Sequence, residues 1–73
     1  MESELNLKLC LFEIKKITKK INNLTYHAQR CKQVNDKIKL ITMITANSVY
    51  ASSLLIEAKK ELSKIKDSIF INL

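Results

Sequence analysis

The sequence contains no glycine, no proline and no tryptophan. Tight turns and β-hairpins depend on glycine and proline, so a fold rich in such turns is disfavoured. The absence of glycine also excludes the glycine-rich loops that hold phosphate groups in nucleotide-binding proteins. Isoleucine, leucine, lysine, alanine and glutamate supply most of the chain instead, a composition that favours long helices. The sequence therefore predicts an all-α protein.

Acidic residues are also scarce, since seven Asp and Glu stand against thirteen Lys and Arg, a formal charge of +6 at pH 7. This balance permits nucleic acid, anionic lipid or an acidic protein as partner and selects none of them. The N-terminus opens with Glu2 and Glu4 rather than with a basic segment, so it does not predict a secretory signal. Two cysteines without other secretory features favour a reducing compartment, and we expect a cytoplasmic protein.

One long stretch, Leu40–Ile56, carries no charge. A membrane-spanning helix needs about 20 mostly apolar residues, with about 17 as the lower limit. This stretch also holds six hydroxyl or amide side chains, and that polarity favours a helix buried on more than one side in a soluble protein. We therefore predict no transmembrane segment. The polar residues are Thr42, Thr45, Asn47, Ser48, Ser52 and Ser53.

Apolar residues in the first half recur at alternating three- and four-residue spacings, the pattern of a coiled-coil seam. Ser3 is a suitable N-cap and Glu4 suits the positive end of a helix dipole. The pattern predicts a first helix over about residues 4–32. Its seam consists of Leu7, Cys10, Ile14, Ile17, Ile21, Leu24, Ala28 and Cys31.

A break is predicted at about residues 33–36, because Arg30 and Lys32 suit a helix C-terminus and Asn35 or Asp36 can cap a new helix. The second helix is predicted over about residues 37–70, with the basic residues Lys59, Lys60, Lys64 and Lys66 near its end. Its seam is predicted as Ile41, Ile44, Ser48, Ala51, Leu55, Ala58, Leu62, Ile65 and Ile69.

Reversal of the chain near residue 36 predicts an antiparallel two-helix coiled-coil hairpin, in one domain over residues 1–73. The two seams then face each other so that large side chains mostly oppose small ones. The predicted pairs are Cys31 with Ile41, Ala28 with Ile44, Leu24 with Ser48, Ile21 with Ala51, Ile17 with Leu55, Ile14 with Ala58, Cys10 with Leu62, and Leu7 with Ile65.

The predicted hairpin leaves apolar residues without a partner, and a helix that is apolar on several sides is normally covered by more than one neighbour. We therefore expect another protein, or further copies of this chain, to complete the fold. The predicted contact residues lie mainly on the second helix, with Phe12 and Tyr26 as secondary contacts on the first. Those on the second helix are Met43, Val49, Tyr50, Leu54 and Ile56.

Candidate catalytic and metal-binding residues are few. His27 has no second ligand at metal spacing, and Glu57 and Glu61 lie one turn apart among lysines as expected of a solvated strip. Cys10 and Cys31 fall on the seam, where free cysteine behaves as a small hydrophobe. We expect no enzymatic activity, no metal and no cofactor.

Two other binding classes remain open at this stage. The lysine cluster at residues 13–20 has the charge to contact nucleic-acid phosphates, as in basic helical hairpins that bind RNA or DNA as dimers. Arginine is scarce, however, and no aromatic residue lies within the cluster. A basic amphipathic helix can also bind an anionic membrane surface, but the lysines of the second helix lie at its end rather than along one face.

A short helical hairpin with surplus apolar surface and no catalytic residues resembles the small coiled-coil cochaperones of type III secretion systems. In that family the small protein joins a larger tetratricopeptide-type chaperone, and together they keep the needle subunit from polymerising in the bacterial cytoplasm. The resemblance covers length and layout and assigns no role to any single residue. It implies a non-enzymatic protein that binds protein, as a cochaperone, adaptor or assembly subunit.

Overall fold

The computed structural model describes residues 2–72, and the side chains of residues 2–68. Two helices, α1 (Glu2–Arg30) and α2 (Val34–Asn72), are joined by the connection at residues 31–33 and pack against each other as a hairpin. The hairpin measures 59 × 14 × 14 Å. The 39 residues of α2 account for that length, at about 1.5 Å per residue. The predicted all-α hairpin is confirmed.

Both helices begin with negative charge, which favours the positive end of the helix dipole. Glu2 and Glu4 lie in the first turn of α1, and Asp36 lies in the first turn of α2. The last turn of α1 carries His27 and Arg30, whose basic side chains suit the negative end of the dipole. Charge placement in the sequence therefore marks three of the four helix ends.

Three of the four helix ends lie slightly outside the predicted bounds, whereas α1 ends at Arg30, two residues before the predicted end. Ser3 was predicted as a cap but is already helical. The backbone N–H of Lys37 donates to the carbonyl oxygen of Gln33 at 2.9 Å, so α2 starts before the predicted caps Asn35 and Asp36. At the other end α2 continues to Asn72, and its last turn contains no basic residue. The lysines near residue 60 therefore do not mark the helix end.

Seven of the eight residues of the first predicted seam are among the less exposed side chains of α1, and the eighth, Cys31, is half-buried in the connection. Ala28 is the most buried of them, with 8% of its surface exposed. Lys15, Lys19 and Lys20 lie between seam positions and are exposed. The alternating spacing thus identified the face of α1 that packs against α2.

The α2 face that packs on α1 differs from the predicted seam. Ile44, Ala51, Ala58 and Ile65 are partly or fully buried as expected, but the other described members are exposed, and the side chain of Ile69 lies outside the described residues. We call the observed face the inner stripe of α2. It consists of Leu40, Ile44, Asn47, Ala51, Leu54, Ala58, Glu61, Ile65 and Ser68.

The inner stripe keeps every second member of the predicted seam and replaces each of the others by the residue before it. This is equivalent to moving the seam back along α2 by about one turn. The connection ends at residue 33 rather than at residue 36, so α2 starts three residues earlier and a different turn of it meets each turn of α1. A step of four residues also rotates the helix face by about 40°. The pairs that relied on Ile41, Ser48, Leu55 and Leu62 therefore do not form, since all four side chains are exposed.

The interior of the hairpin is thin. Its buried apolar residues are Ala28 and Ala58, each 8% exposed, and no large side chain among the described residues is fully buried. The carboxylate of Glu61 is more deeply buried than either alanine, with the residue 3% exposed. Small side chains let the two helices approach closely, but they bury little apolar surface per residue.

Candidate protein-binding surface of the second helix

The exterior of α2 is apolar and uncharged over a run of 17 residues. No residue from 40 to 56 is charged, and several large apolar side chains in and beside this stretch are 45–64% exposed. An apolar surface of this kind on a small protein marks an interaction site. The exposed side chains are Ile38, Ile41, Met43, Val49, Tyr50, Leu55 and Ile56.

Five of the six serine, threonine and asparagine side chains of the same stretch bond to their own helix. Each of the five donates to the backbone carbonyl oxygen four residues earlier, which is the common arrangement for serine and threonine within helices. The bonds are Thr42 Oγ1 to Ile38 at 2.9 Å, Thr45 Oγ1 to Ile41 at 2.9 Å, Asn47 Nδ2 to Met43 at 2.7 Å, Ser48 Oγ to Ile44 at 2.7 Å and Ser53 Oγ to Val49 at 3.3 Å.

These internal bonds lower the cost of removing water from α2. A buried hydroxyl without a hydrogen-bond partner costs about 1–3 kcal/mol, whereas the hydroxyls of Thr42, Thr45 and Ser48 keep their partners when water leaves. The polarity that argued against a membrane span in the sequence is therefore largely satisfied within the helix. The exterior of α2 can be covered by an apolar partner.

Four of the predicted contact residues are exposed on α2, in two rows about 100° apart around the helix, Met43 with Tyr50 and Val49 with Ile56. We call Met43, Val49, Tyr50 and Ile56 the outer face; all four are exposed. Leu54 was predicted to join them, but it is half-buried on the inner stripe. Its assignment to the partner surface is corrected, because the one-turn displacement of the inner stripe turns Leu54 towards α1.

The two predicted contact residues of α1 are exposed, but each lies beside a cation of its own helix. The Nζ atom of Lys16 is 5.5 Å from the ring centroid of Phe12, and the guanidinium of Arg30 is 4.2 Å from that of Tyr26. Tyr26 also meets the ring of His27 edge to face, with 5.7 Å between centroids. Cations over ring faces contribute up to about 1 kcal/mol at exposed sites, so a partner must displace them to use these faces.

A further set of exposed residues lies one position along the chain from the inner stripe, which places it about 100° around the helix. Large side chains stand at its two ends and small hydroxyl residues stand at its centre. Four members of this set, Ile41, Ser48, Leu55 and Leu62, were predicted to lie on the packed seam. The alternating three- and four-residue spacing of the whole set is visible in the sequence. We call it the lateral stripe: Ile38, Ile41, Thr45, Ser48, Ser52, Leu55, Lys59 and Leu62.

The carboxylate of Glu61 is the one charged group on the inner stripe. Its Oε1 atom is 3.3 Å from Nζ of Lys64, while its Oε2 atom is buried without a hydrogen-bond partner. Glu57 is exposed, so the two glutamates lie in different environments and do not act as a matched pair. Sequence reasoning placed both in a solvated strip, but continuation of the spacing through Leu54 and Ala58 leads directly to Glu61.

Other chemistry is limited in the described part of the hairpin. It contains no enclosed pocket and no cluster of three side chains suited to a metal ion. Cys10 and Cys31 are both half-buried free thiols. The Sγ atom of Cys31 lies 3.4 Å from the carbonyl oxygen of Gln33 in the connection. The exterior of α2 is therefore the strongest candidate for a functional site.

By length and composition alone, one helix in the described residues is apolar enough to cross a membrane, and it lies within Val34–Ser68. A helix that packs on a partner protein satisfies the same two criteria. Comparison of the chain with protein-family models, curated proteins and solved structures finds no match. Function is therefore argued from the residues of the hairpin.

Proposed function

We propose that the chain is a non-enzymatic, protein-binding helical hairpin that packs the outer face of α2 against an apolar helix or groove of a partner protein. In this proposal α1 supports α2 from behind, and the partner covers Met43 and Tyr50. Binding is stoichiometric, so each protein masks apolar surface of the other. The role is that of a cytoplasmic cochaperone, adaptor or assembly subunit, the class that includes the type III secretion cochaperones.

The observation that carries the proposal is the internal hydrogen bonding of the uncharged stretch. Large apolar side chains are exposed there, and the intervening hydroxyls already bond to their own helix, as Thr42 and Ser48 do. Covering this surface releases water from apolar groups and costs few hydrogen bonds. Tyr50 has the properties of an interface anchor, since aromatic residues dominate binding energy at interface centres.

Capture by the tagged full chain tests the proposal, with the wild type compared with Tyr50→Asp and Leu11→Asp. Leu11 is an exposed leucine on α1 outside the predicted contact set, so Leu11→Asp is the matched control for an added charge. We expect Tyr50→Asp to lose the partner and Leu11→Asp to keep it, because an unpaired charge at an interface centre is costly. Circular dichroism should show that both variants remain helical.

The captured partner should then be purified and its affinity for each variant measured. Equal affinity for the wild type and Tyr50→Asp would contradict the proposal. Liposome flotation provides the comparison with a membrane. If the wild type floats with vesicles of phosphatidylcholine and phosphatidylglycerol while no partner protein depends on Tyr50, the outer face binds lipid rather than protein.

Nucleic-acid binding is the second candidate, and the exposed lysines of α1 are the observation that favours it. Lys15, Lys19 and Lys20 are exposed, and Lys16 forms an ion pair with Glu13 at 3.2 Å. A solvated lysine face binds RNA only weakly, and that binding falls steeply with salt. We expect duplex and hairpin RNA to dissociate near 0.15 M salt, whereas specific binding at about 0.2 M salt and nanomolar strength would favour this second function.

A further inference from the structure

The lateral stripe of α2 is a second unpartnered face with a pattern of its own. Ile41 and Leu55 stand at either side of its centre, and Thr45, Ser48 and Ser52 lie between them. Tyr50 is two positions from both Ser48 and Ser52 and so points about 160° away from each, whereas Val49 and Ile56 of the outer face lie one turn from Thr45 and Ser52 and border the stripe. Whatever covers the lateral stripe leaves Tyr50 available.

The stripe is symmetric about Ser48. If the residue order is reversed around Ser48, Ile41 takes the position of Leu55. Thr45 then falls within one position of Ser52. Two copies of α2 that cross antiparallel at Ser48 therefore bring small residues together at the point of closest approach. Ile41 of each copy then meets Leu55 of the other where the helices diverge. Small residues at a crossing point and larger ones beside it satisfy the packing geometry of two helices.

The exposed surface of the elongated hairpin is large enough to accommodate a dimer contact. A globular chain of 8.4 kDa exposes about 4,600 Å², whereas this hairpin exposes 5986 Å². The surplus of about 1,400 Å² lies within the range that each subunit of an obligate dimer buries, about 1,000–2,500 Å². The thin interior of alanines points the same way, since one hairpin does not enclose a core of large side chains.

Charge disfavours α1 as the face through which two copies meet. Each chain carries +6, so an α1-to-α1 contact would bring the exposed lysines at residues 15, 19 and 20 together. The lateral stripe holds no charge from Thr45 to Leu55, and α1 lies about 100° around α2 from it. Lys59 lies beyond Leu55, where the crossing helices separate and its amine can reach water.

We infer that the partner of the lateral stripe is a second copy of this chain, so that two hairpins form an antiparallel dimer with their α2 helices crossing at Ser48. The hydroxyls of Thr45 and Ser48 remain bonded to the carbonyl oxygens of Ile41 and Ile44 inside this contact. The dimer leaves Met43 and Tyr50 pointing away from the crossing, whereas Val49 and Ile56 border it. It is tested apart from the proposed function, because the capture experiment depends on Tyr50.

Sedimentation equilibrium of the full chain is the first test. We expect twice the chain mass of 8.4 kDa. Moderate salt should strengthen the dimer, because it screens the repulsion between two positive chains. Leu55→Glu should weaken the dimer by about a hundredfold or more, since each copy would bury an unpaired charge. Tyr50→Glu is the matched control and should leave the dimer intact. A chain that stays monomeric at every concentration, or a dimer unaffected by Leu55→Glu, would overturn the inference.

A cysteine scan keeps the inference testable even if Leu55→Glu unfolds. In a Cys10→Ala and Cys31→Ala background, Ser48→Cys should form an intermolecular disulfide under mild oxidation with diamide, because the crossing brings residue 48 of both copies together. Tyr50→Cys in the same background should remain reduced. Equal crosslinking of the two variants, or none at residue 48, contradicts the crossing. Partner capture depends on Tyr50, so failure of the dimer and failure of the proposed function give different results.

Discussion

The two helices pack on each other through faces of the same kind, but their exposed surfaces differ in charge. Each buries a single face of alternating spacing against the other, and Ala28 and Ala58 mark the most closely packed apolar position on each helix. The exterior of α1 is rich in lysine from residue 15 to residue 20, whereas the exterior of α2 is uncharged from residue 40 to residue 56. The hairpin packs through the inner faces alone, so the difference between the exteriors is the feature on which the proposed function rests.

The largest expected effect separates the inside of α2 from its outside. Leu54→Asp should destabilise the hairpin by at least about 3 kcal/mol, because it places a charge on the inner stripe. Ile17→Asp should do the same from α1. Tyr50→Asp should cost less than about 1 kcal/mol, since this side chain does not pack on α1. Thermal melts followed by circular dichroism at one protein concentration measure all three. Similar loss of stability in Leu54→Asp and Tyr50→Asp would show that the inner stripe is wrongly placed.

A smaller effect tests whether the two helices are equivalent where they come closest. Ala28→Leu and Ala58→Leu should each destabilise by about 1–3 kcal/mol, because the added side chain cannot fit between closely packed helices. Ala46→Leu, at an exposed position of α2, is the control and should change stability by less than about 0.5 kcal/mol. Urea denaturation gives the free energies. If Ala58→Leu stabilises the protein, the helices are further apart than their burial indicates.

The smallest expected effect is a gain in stability. Glu61→Met replaces a buried carboxylate, one of whose oxygens lacks a partner, by an apolar side chain of similar size. We expect about 1–2 kcal/mol of stabilisation, because replacing a buried charged group by an apolar one of similar size often stabilises a protein. Glu57→Met changes an exposed glutamate on the same helix and serves as control. Destabilisation by Glu61→Met in urea titrations would show that the contact of Glu61 with Lys64 outweighs the cost of burying the carboxylate.

The sequence predicts α1 more completely than α2. The spacing from Leu7 to Cys31 contains no competing stripe, so periodicity alone identifies the packed face. In α2 the inner stripe, the lateral stripe and the outer face all carry large apolar residues. Only the position of the chain reversal decides which of them meets α1. Without glycine or proline, Asn35 and Asp36 were the strongest local signals for that position, and they lie within the first turn of α2. An error of about three residues there displaced the whole inner stripe.

The candidate surface was predictable in location and less so in detail. The uncharged run from residue 40 to residue 56 indicates an interaction face without any structure, and Met43 and Tyr50 are exposed on either reading. Leu54 was predicted to contact a partner and Leu55 to pack on α1. In the structure Leu54 lies on the inner stripe and Leu55 is exposed. Periodicity cannot separate such neighbours when both lie on apolar stripes. The hydrogen bonds of Thr45 and Ser48 to their own helix also required coordinates, because a sequence does not show which acceptor a hydroxyl uses.

The connection between the helices makes no special demand on its residues. No residue with a positive φ angle occurs in the described chain, so Cys31, Lys32 and Gln33 occupy conformations that most amino acids adopt readily. Mutational drift at these positions is therefore weakly constrained, and related chains are expected to vary here while keeping the spacing of the arms. The spacing within the two arms and the position of the bend specify this fold, whereas the identities of the residues in the bend do not.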